Sequence, residues 1–229
     1  MKIIDAHSHI DYITHKLQPD VVGAVCCTTD ESQWPVLVDM MNLDKNIYGA
    51  FGVHPWFVDT VSDDFDNRLE QLLNSDSNYM IGEIGLDKYK PDMEKQMVVF
   101  IKQFDLAVKL KRTVFLHCVG VWDKILHILK QYKKSELPIV VAHAFKANED
   151  ILQQLLKTNN IMFSFNKIDM RGENCCIEQI PNNRILVESD GKNYSDLAKL
   201  VQQIEDVKND NNMLDIIYNN TKKVIIQNG

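Results

Sequence analysis

Eight short β-rich runs alternate with amphipathic helical stretches, several of the runs are apolar almost throughout, and histidines or acids stand at six run ends. Together these features predict an α/β chain with a covered parallel sheet, a (β/α)₈ TIM barrel. The runs lie at 2–4, 22–28, 48–53, 80–84, 113–116, 139–142, 161–165 and 184–188. Ile139-Val140-Val141-Ala142 and Ile185-Leu186-Val187 show the continuous apolarity of strands buried on both faces. Between the runs come helical spacings at 34–41, 65–73, 93–111, 122–132, 149–156 and 196–207, with a last one at 213–226. In 93–111, Met97, Phe100, Ile101, Phe104, Leu106, Val108 and Leu110 supply an apolar face broad enough to pack on a sheet. Asn148 and Ser195 occupy N-cap positions, where a short polar side chain takes up an unpaired helical N–H. A doubly wound open sheet shares this local pattern.

Composition places the chain among soluble globular proteins. Of 229 residues, 45% are apolar and 25% charged, and nine Gly and six Pro are too few for a fibrous or low-complexity chain. No composition shift, repeat or linker divides the chain, so one domain over 1–229 is expected. No window reaches the roughly 18 consecutive apolar residues of a membrane span. Met1-Lys2-Ile3-Ile4-Asp5-Ala6-His7 carries polar residues where a signal peptide needs an apolar run, so a cytoplasmic protein is expected, with no membrane and no obligate protein partner. Cys26, Cys27, Cys118, Cys175 and Cys176 are odd in number and lack CxxC spacing, which fits buried free thiols in a reducing compartment. A net charge of −7 speaks against tight nonspecific binding to a nucleic-acid backbone. Phosphate recognition must therefore be local, through a metal or a few lysines.

The strand ends carry the chemistry. In order they read Asp5-Ala6-His7-Ser8-His9, Gly52-Val53-His54-Pro55, Gly82-Glu83-Ile84-Gly85-Leu86-Asp87, Phe115-Leu116-His117, Val141-Ala142-His143 and Glu188-Ser189-Asp190. In a parallel barrel these ends share one face. That face gathers His7, His9, Glu83, His117, His143 and Asp190, a set costly to bury unpaired and suited to one or two divalent cations. His7 and His9, two apart on a strand, point the same way toward one ion. Mixed imidazole and carboxylate donors suit Zn, Mn, Fe or Co better than Ca. Asp5 reads as a metal ligand or a support for one, Glu188 as a support or a core-satisfied acid, Asp87 as a brace for the loop after the fourth strand, and Cys118 as packing. His54, near the mouth, is either a substrate contact or a group bonded within its own loop. Trp56 and Phe57 line the entrance or pack beside it. His15 and His127 read as ordinary polar positions.

This series, from Asp5-x-His7-x-His9 to Glu188-x-Asp190, resembles the TatD family of metal-dependent hydrolases, with Gly-Glu-Ile-Gly-Leu-Asp its most specific element. The resemblance implies a (β/α)₈ barrel, a binuclear site holding two divalent ions (Zn, Mn, Mg, Co or Fe), and deoxyribonuclease or phosphodiesterase activity. Carried over by motif, His7, His9, Glu83 and Asp190 surround one ion, while Glu83, His117 and His143 surround the second, with Glu83 bridging. Asp190 then orients water and takes its proton, so Asp190 and Glu83 are the expected catalytic residues. The chain departs from the pattern at Val119, where the family often has arginine, and at Lys146-Ala147 and Gly191-Lys192. Lys146 and Lys192, with His54, are the candidate substrate contacts, as point charges rather than a bidentate fork. The expected substrate is a DNA end. A small phosphodiester, or an amide, ester or lactone cut by an amidohydrolase-type enzyme, is the alternative.

Overall fold

The computed structural model describes residues 2–10, 20–168, 177–191 and 195–226. These residues form eight strands: β1 (Ile3–His9), β2 (Val21–Cys27), β3 (Ile47–Phe51), β4 (Met80–Asp87), β5 (Val114–Val119), β6 (Val140–Ala142), β7 (Ile161–Phe165) and β8 (Ile185–Val187). Neighbours pair in parallel in the order β1 to β8, and the residues after β8 return to β1. There the Asp190 N–H donates to the His7 carbonyl at 3.0 Å, and the Ser189 N–H to Asp5 Oδ1 at 2.9 Å. The predicted barrel is the observed one.

Among the described residues seven α-helices stand between and after the strands: α1 (Gln33–Leu43), α2 (Phe65–Ser75), α3 (Met93–Leu110), α4 (Trp122–Leu129), α5 (Glu149–Leu156), α6 (Ser195–Lys208) and α7 (Met213–Ile225). The Asn148 side chain caps α5 by accepting from the Ile151 N–H, as its sequence position suggests; the Ser195 side chain lies outside the described residues. No described helix is long and apolar enough to cross a membrane.

Two layers of apolar side chains follow from strand alternation. One fills the barrel interior with Ile4, Val25, Cys27, Ala50, Met80, Phe115, Val141, Met162 and Leu186. The other lies between sheet and helices, with Phe51, Ile81, Leu116 and Phe163 facing Leu69, Phe100 and Phe104. Val224 and Ile225 at the end of α7 join the interior layer, and the Thr113 hydroxyl donates to the Val224 carbonyl at 3.0 Å.

Three strands run further than the sequence pattern indicates. The 2–4 run extends to His9, the 80–84 run to Asp87 and the 113–116 run to Val119. Their polar ends look like loop in a one-dimensional pattern. They remain in the sheet because Ser8 and His9 register with Cys26 and Cys27, and Gly85 to Asp87 with His117 to Val119. His7, His9, Glu83 and His117 therefore sit on strand backbone. Gly85 lies where a Cβ would meet the His117 carbonyl oxygen at 1.8 Å, and its φ of 152° belongs to glycine, so β4 and β5 approach closely at the ligand positions.

Helix α3 also differs in detail. Its buried face includes Gln96 and Gln103, polar residues that an apolar periodicity omits, while Met97, Ile101, Val108 and Leu110 are half-buried. Gln103 Oε1 accepts from the Val53 N–H at 2.7 Å and its Nε2 donates to the Val53 carbonyl at 3.1 Å. Gln96 Oε1 accepts from the Asp87 N–H at 2.9 Å, and its Nε2 donates to the carbonyls of Asp87, Lys90 and Pro91. Two buried amides thus satisfy backbone groups where the β3 and β4 ends turn into loops.

Candidate metal centre

Glu83 is the hub of the barrel mouth. Its side chain is 2% exposed, and its two oxygens face different histidines. Oε2 lies 3.3 Å from His7 Nε2 and 3.5 Å from His9 Nε2. Oε1 lies 2.6 Å from His117 Nδ1, 3.3 Å from His54 Nε2 and 3.5 Å from His143 Nε2. Asp190 Oδ1 stands 3.7 Å from His9 Nε2 and 3.8 Å from His143 Nε2. Five of the seven groups come from strands β1, β4 and β5 and the turn after β6, while His54 follows β3 and Asp190 follows β8.

Donor atoms of three residue groups lie within 4.8 Å of one another: His7, His143 and Asp190; His7, His9 and Glu83; and His54, Glu83 and His117. All six sequence-predicted ligand residues are thus at one mouth. His54 stands with Glu83 and His117 in the third group, a neighbour that the motif-based assignment did not include. His143, expected beside Glu83 and His117, keeps its Nε2 3.5 Å from Glu83 Oε1 and also stacks on His7, with ring centroids 3.8 Å apart. His54 is bonded within its own loop, its Nδ1 accepting from the Trp56 N–H at 3.1 Å, while its Nε2 faces Glu83 and His117.

The donor set fits divalent cations on its own chemistry. One carboxylate facing five imidazoles cannot neutralise them all if they are protonated. The His7 and His9 Nε2 atoms face each other at 3.4 Å, two ring nitrogens converging on one point. Burial holds His7 below the ordinary histidine value, with the neighbouring His143 charge adding to it, and burial likewise lowers His54. Burial also works against the charged form of His143, but Glu188 and Glu83 outweigh it and push this imidazole up to about 10. Glu83 stays well below the carboxylate range: burial alone would raise it, and the charges of His143, His54 and His7 reverse that. For Asp190 the His9 contact and the His143 charge likewise overcome burial and hold the carboxyl near 2.

A second layer fixes these groups. Glu188 Oε1 lies 2.8 Å from His143 Nδ1 and accepts from the Ala144 N–H at 2.7 Å. Asp5 accepts from the Ser189 hydroxyl at 2.6 Å and from the His7 N–H at 3.1 Å. Its burial pushes the carboxyl up to about 7 despite these donors. The Cys27 Sγ stands 3.4 Å from His7 Nδ1, and burial keeps it a thiol. Asp87 Oδ1 accepts from the Tyr89 N–H at 2.9 Å and Oδ2 from the Trp56 indole at 2.7 Å, while Oδ2 lies 3.4 Å from His117 Nε2. Asn166, just past β7, donates to Asp190 Oδ2 at 3.2 Å. Sequence reasoning missed Asn166; an amide at a strand end in register with the ligands was its only signal.

A cavity of about 440 Å³ opens above the cluster, lined by His9, His54, Trp56, Phe57, His117 and Asp190 among others. Lys146 is exposed and lines an adjoining cavity, not this one. Lys192, His15, Cys175 and Cys176 lie outside the described residues. Cys118 packs against the outer core layer, and His127 is exposed on α4.

A (β/α)₈ barrel whose strand ends converge histidines and carboxylates on one buried point defines the class of metal-site barrels. The family described as TatD related DNase matches residues 4–225, and the chain belongs to it. A human protein, 3'-5' RNA nuclease TATDN2, is 31% identical over 152 residues, covering 63% of this chain and 20% of the relative. The 3'-5' ssDNA/RNA exonuclease TatD of Yersinia pseudotuberculosis is 28% identical over 152 residues, covering 62% of this chain and 57% of the relative. The matched part thus spans little more than half of the second protein and a fifth of the first. Among solved structures, the Escherichia coli TatD homologue YJJV superposes with a TM-score of 0.86 at 20% identity, covering 97% of each chain. A dihydroorotase superposes with a TM-score of 0.71 at 15% identity over 97% of this chain and 82% of its own, a likeness of fold.

Proposed function

We propose that this protein is a divalent-metal-dependent phosphodiesterase that removes nucleotides from the ends of single-stranded DNA or RNA. The observation that carries the reading is the Glu83 cluster, in which one buried carboxylate presents each oxygen to a separate set of imidazoles. Family membership and the relatives named as 3'-5' nucleases support the substrate class.

His7, His9 and Glu83 would hold one ion, joined by His143 and Asp190, and Glu83, His117 and His54 a second. Such ions make water more acidic and offset negative charge that develops on a phosphoryl oxygen. The protein's own part is positional and protonic. Asp190 is a carboxylate throughout the working pH range, half-exposed to the cavity and steadied by Asn166, so it is placed to accept a proton from water. Glu188 keeps the His143 ring oriented and Asp5 ties β1 to the turn carrying Asp190, which preserves donor spacing. The buried interior layer beneath His7 limits water to the mouth.

The test is hydrolysis of end-labelled single-stranded oligonucleotides with added Mg, Mn, Co or Zn. Stepwise release of mononucleotides from the 3′ end, abolished by a chelator, is the expected result. Hydrolysis confined to small amides, esters or lactones would overturn the reading in favour of amidohydrolase-type chemistry at the same donors.

A further inference from the structure

A second cavity, of about 550 Å³, adjoins the metal-site cavity across the rim formed by the ends of β4, β5 and β6. The adjacency follows from the chain itself: Cys118 is next to His117 and Ala144 next to His143, the first of each pair lining this cavity and the second the metal-site cavity. Its lining includes Lys88, Tyr89, Trp122, Lys146 and Asn148.

Three features mark it as built for a ligand. Tyr89 is 75% exposed, a large apolar ring left in water at the mouth of the barrel. Its backbone is anchored, because the Tyr89 N–H donates to Asp87, the carboxylate that also accepts from the Trp56 indole and lies against His117. Lys88 has its ammonium 4.8 Å from the Tyr89 ring centroid and its N–H bonded to the Val119 carbonyl at 3.1 Å. The stem of Lys88 lies against Gly120, where a Cβ would come within 2.4 Å of Cδ, so glycine with a φ of 69° makes the seat for this lysine. On the other side, Trp56 is 53% exposed in the metal-site cavity with the Lys90 ammonium 3.9 Å from its ring centroid. Each cavity thus combines an exposed aromatic ring with a lysine, and one carboxylate anchors the Trp56 indole and the backbone of Tyr89.

An exposed ring beside a cation is the pairing that single-stranded nucleic acid uses, base on ring and phosphate on ammonium. A duplex keeps its base faces covered and cannot use it. We propose that the Lys88–Tyr89 cavity is a second nucleotide subsite, which stacks the base next to the terminal nucleotide on Tyr89 and holds its phosphate with Lys88 and Lys146. This rests on the nuclease reading above and adds to it the residues that select an unpaired strand.

Two substrates separate the cavities. A short single-stranded oligonucleotide spans both, whereas a small aryl phosphodiester occupies the metal-site cavity alone. In Tyr89→Ala and in Lys88→Ala the ratio of kcat/KM for the oligonucleotide to that for the diester falls, roughly 5- to 150-fold for the lost base stack. Tyr89→Phe, which keeps the ring, retains the ratio. An unchanged ratio in both alanine variants, or an equal loss in Tyr89→Phe, overturns the subsite. Should the wild-type chain hydrolyse neither substrate, the nuclease reading fails by itself, and fluorescence anisotropy with a labelled single strand decides the cavity. Weaker binding by Tyr89→Ala than by Tyr89→Phe then supports it, and equal binding overturns it.

Discussion

Asp190→Asn separates proton transfer from architecture more cleanly than other changes at this mouth. Asp190 has a φ of 50°, a left-handed conformation that asparagine tolerates nearly as well as aspartate, while alanine there would add strain. Its N–H bond to the His7 carbonyl is untouched by the change, and an asparagine oxygen still accepts from Asn166. The stability effect comes from charge. A carboxyl held near 2 instead of 3.8 favours the folded chain by roughly 2 kcal/mol above pH 4, a contribution lost as pH falls from 4 toward 2. Without it, Tm at pH 7 drops by about 4–8 °C for a domain of this size. Turnover drops far more, by roughly 10²–10⁴-fold, the range for removing a positioned general base. The assay is single-turnover release of nucleotide from a single-stranded oligonucleotide, with metal content by elemental analysis and Tm on the same preparation. A variant within tenfold of wild-type rate at unchanged metal content would remove Asp190 from proton transfer.

Three further outcomes follow from the same geometry. Glu83→Ala takes away the carboxylate between both histidine groups, and elemental analysis should show loss of at least one metal equivalent; full occupancy would contradict its central place. Glu188 and Glu83 push His143 up to about 10, so its imidazole carries a proton at pH 7.5 that it must release to become a ligand. Titration calorimetry in buffers of different ionisation enthalpy should therefore find close to one proton released, with affinity rising about tenfold per pH unit below 10; a proton count near zero would exclude His143 from the ligand set. Gln96→Leu leaves the Asp87 N–H without its buried acceptor, at a cost of about 1–3 kcal/mol and a fall in Tm of roughly 2–12 °C. Thermal unfolding within 1 °C of wild type would show that backbone groups at the β4 end find other partners.

Much of the barrel could be read from residue order because its determinants are local. Continuous apolar runs such as Ile139-Val140-Val141-Ala142 are explained only by burial on both faces, and the spacing of Phe100 and Phe104 gives a helix its inner side. The candidate ligands were legible for the same reason: a histidine or acid at each of several strand ends falls on one rim once the strands are parallel. Gln96 and Gln103 could not be found this way, since their burial answers backbone groups of Asp87 and Val53 supplied by other strands. The true length of β1, β4 and β5 was hidden too, because polar ends inside a barrel look like loop until their neighbours are in place.

What residue order by itself determined is the alternation of elements and the chemical type of the groups at their ends. Which of those groups stand against one another was decided only by tertiary structure, where His54 comes within 3.3 Å of Glu83 and His143 stacks on His7. So too was the seat of Lys88 on Gly120 beside an exposed Tyr89. The reason is physical: a side chain's type and strand phase are properties of the chain, but its partners depend on strand register and on the direction each rotamer takes across a gap of a few ångströms.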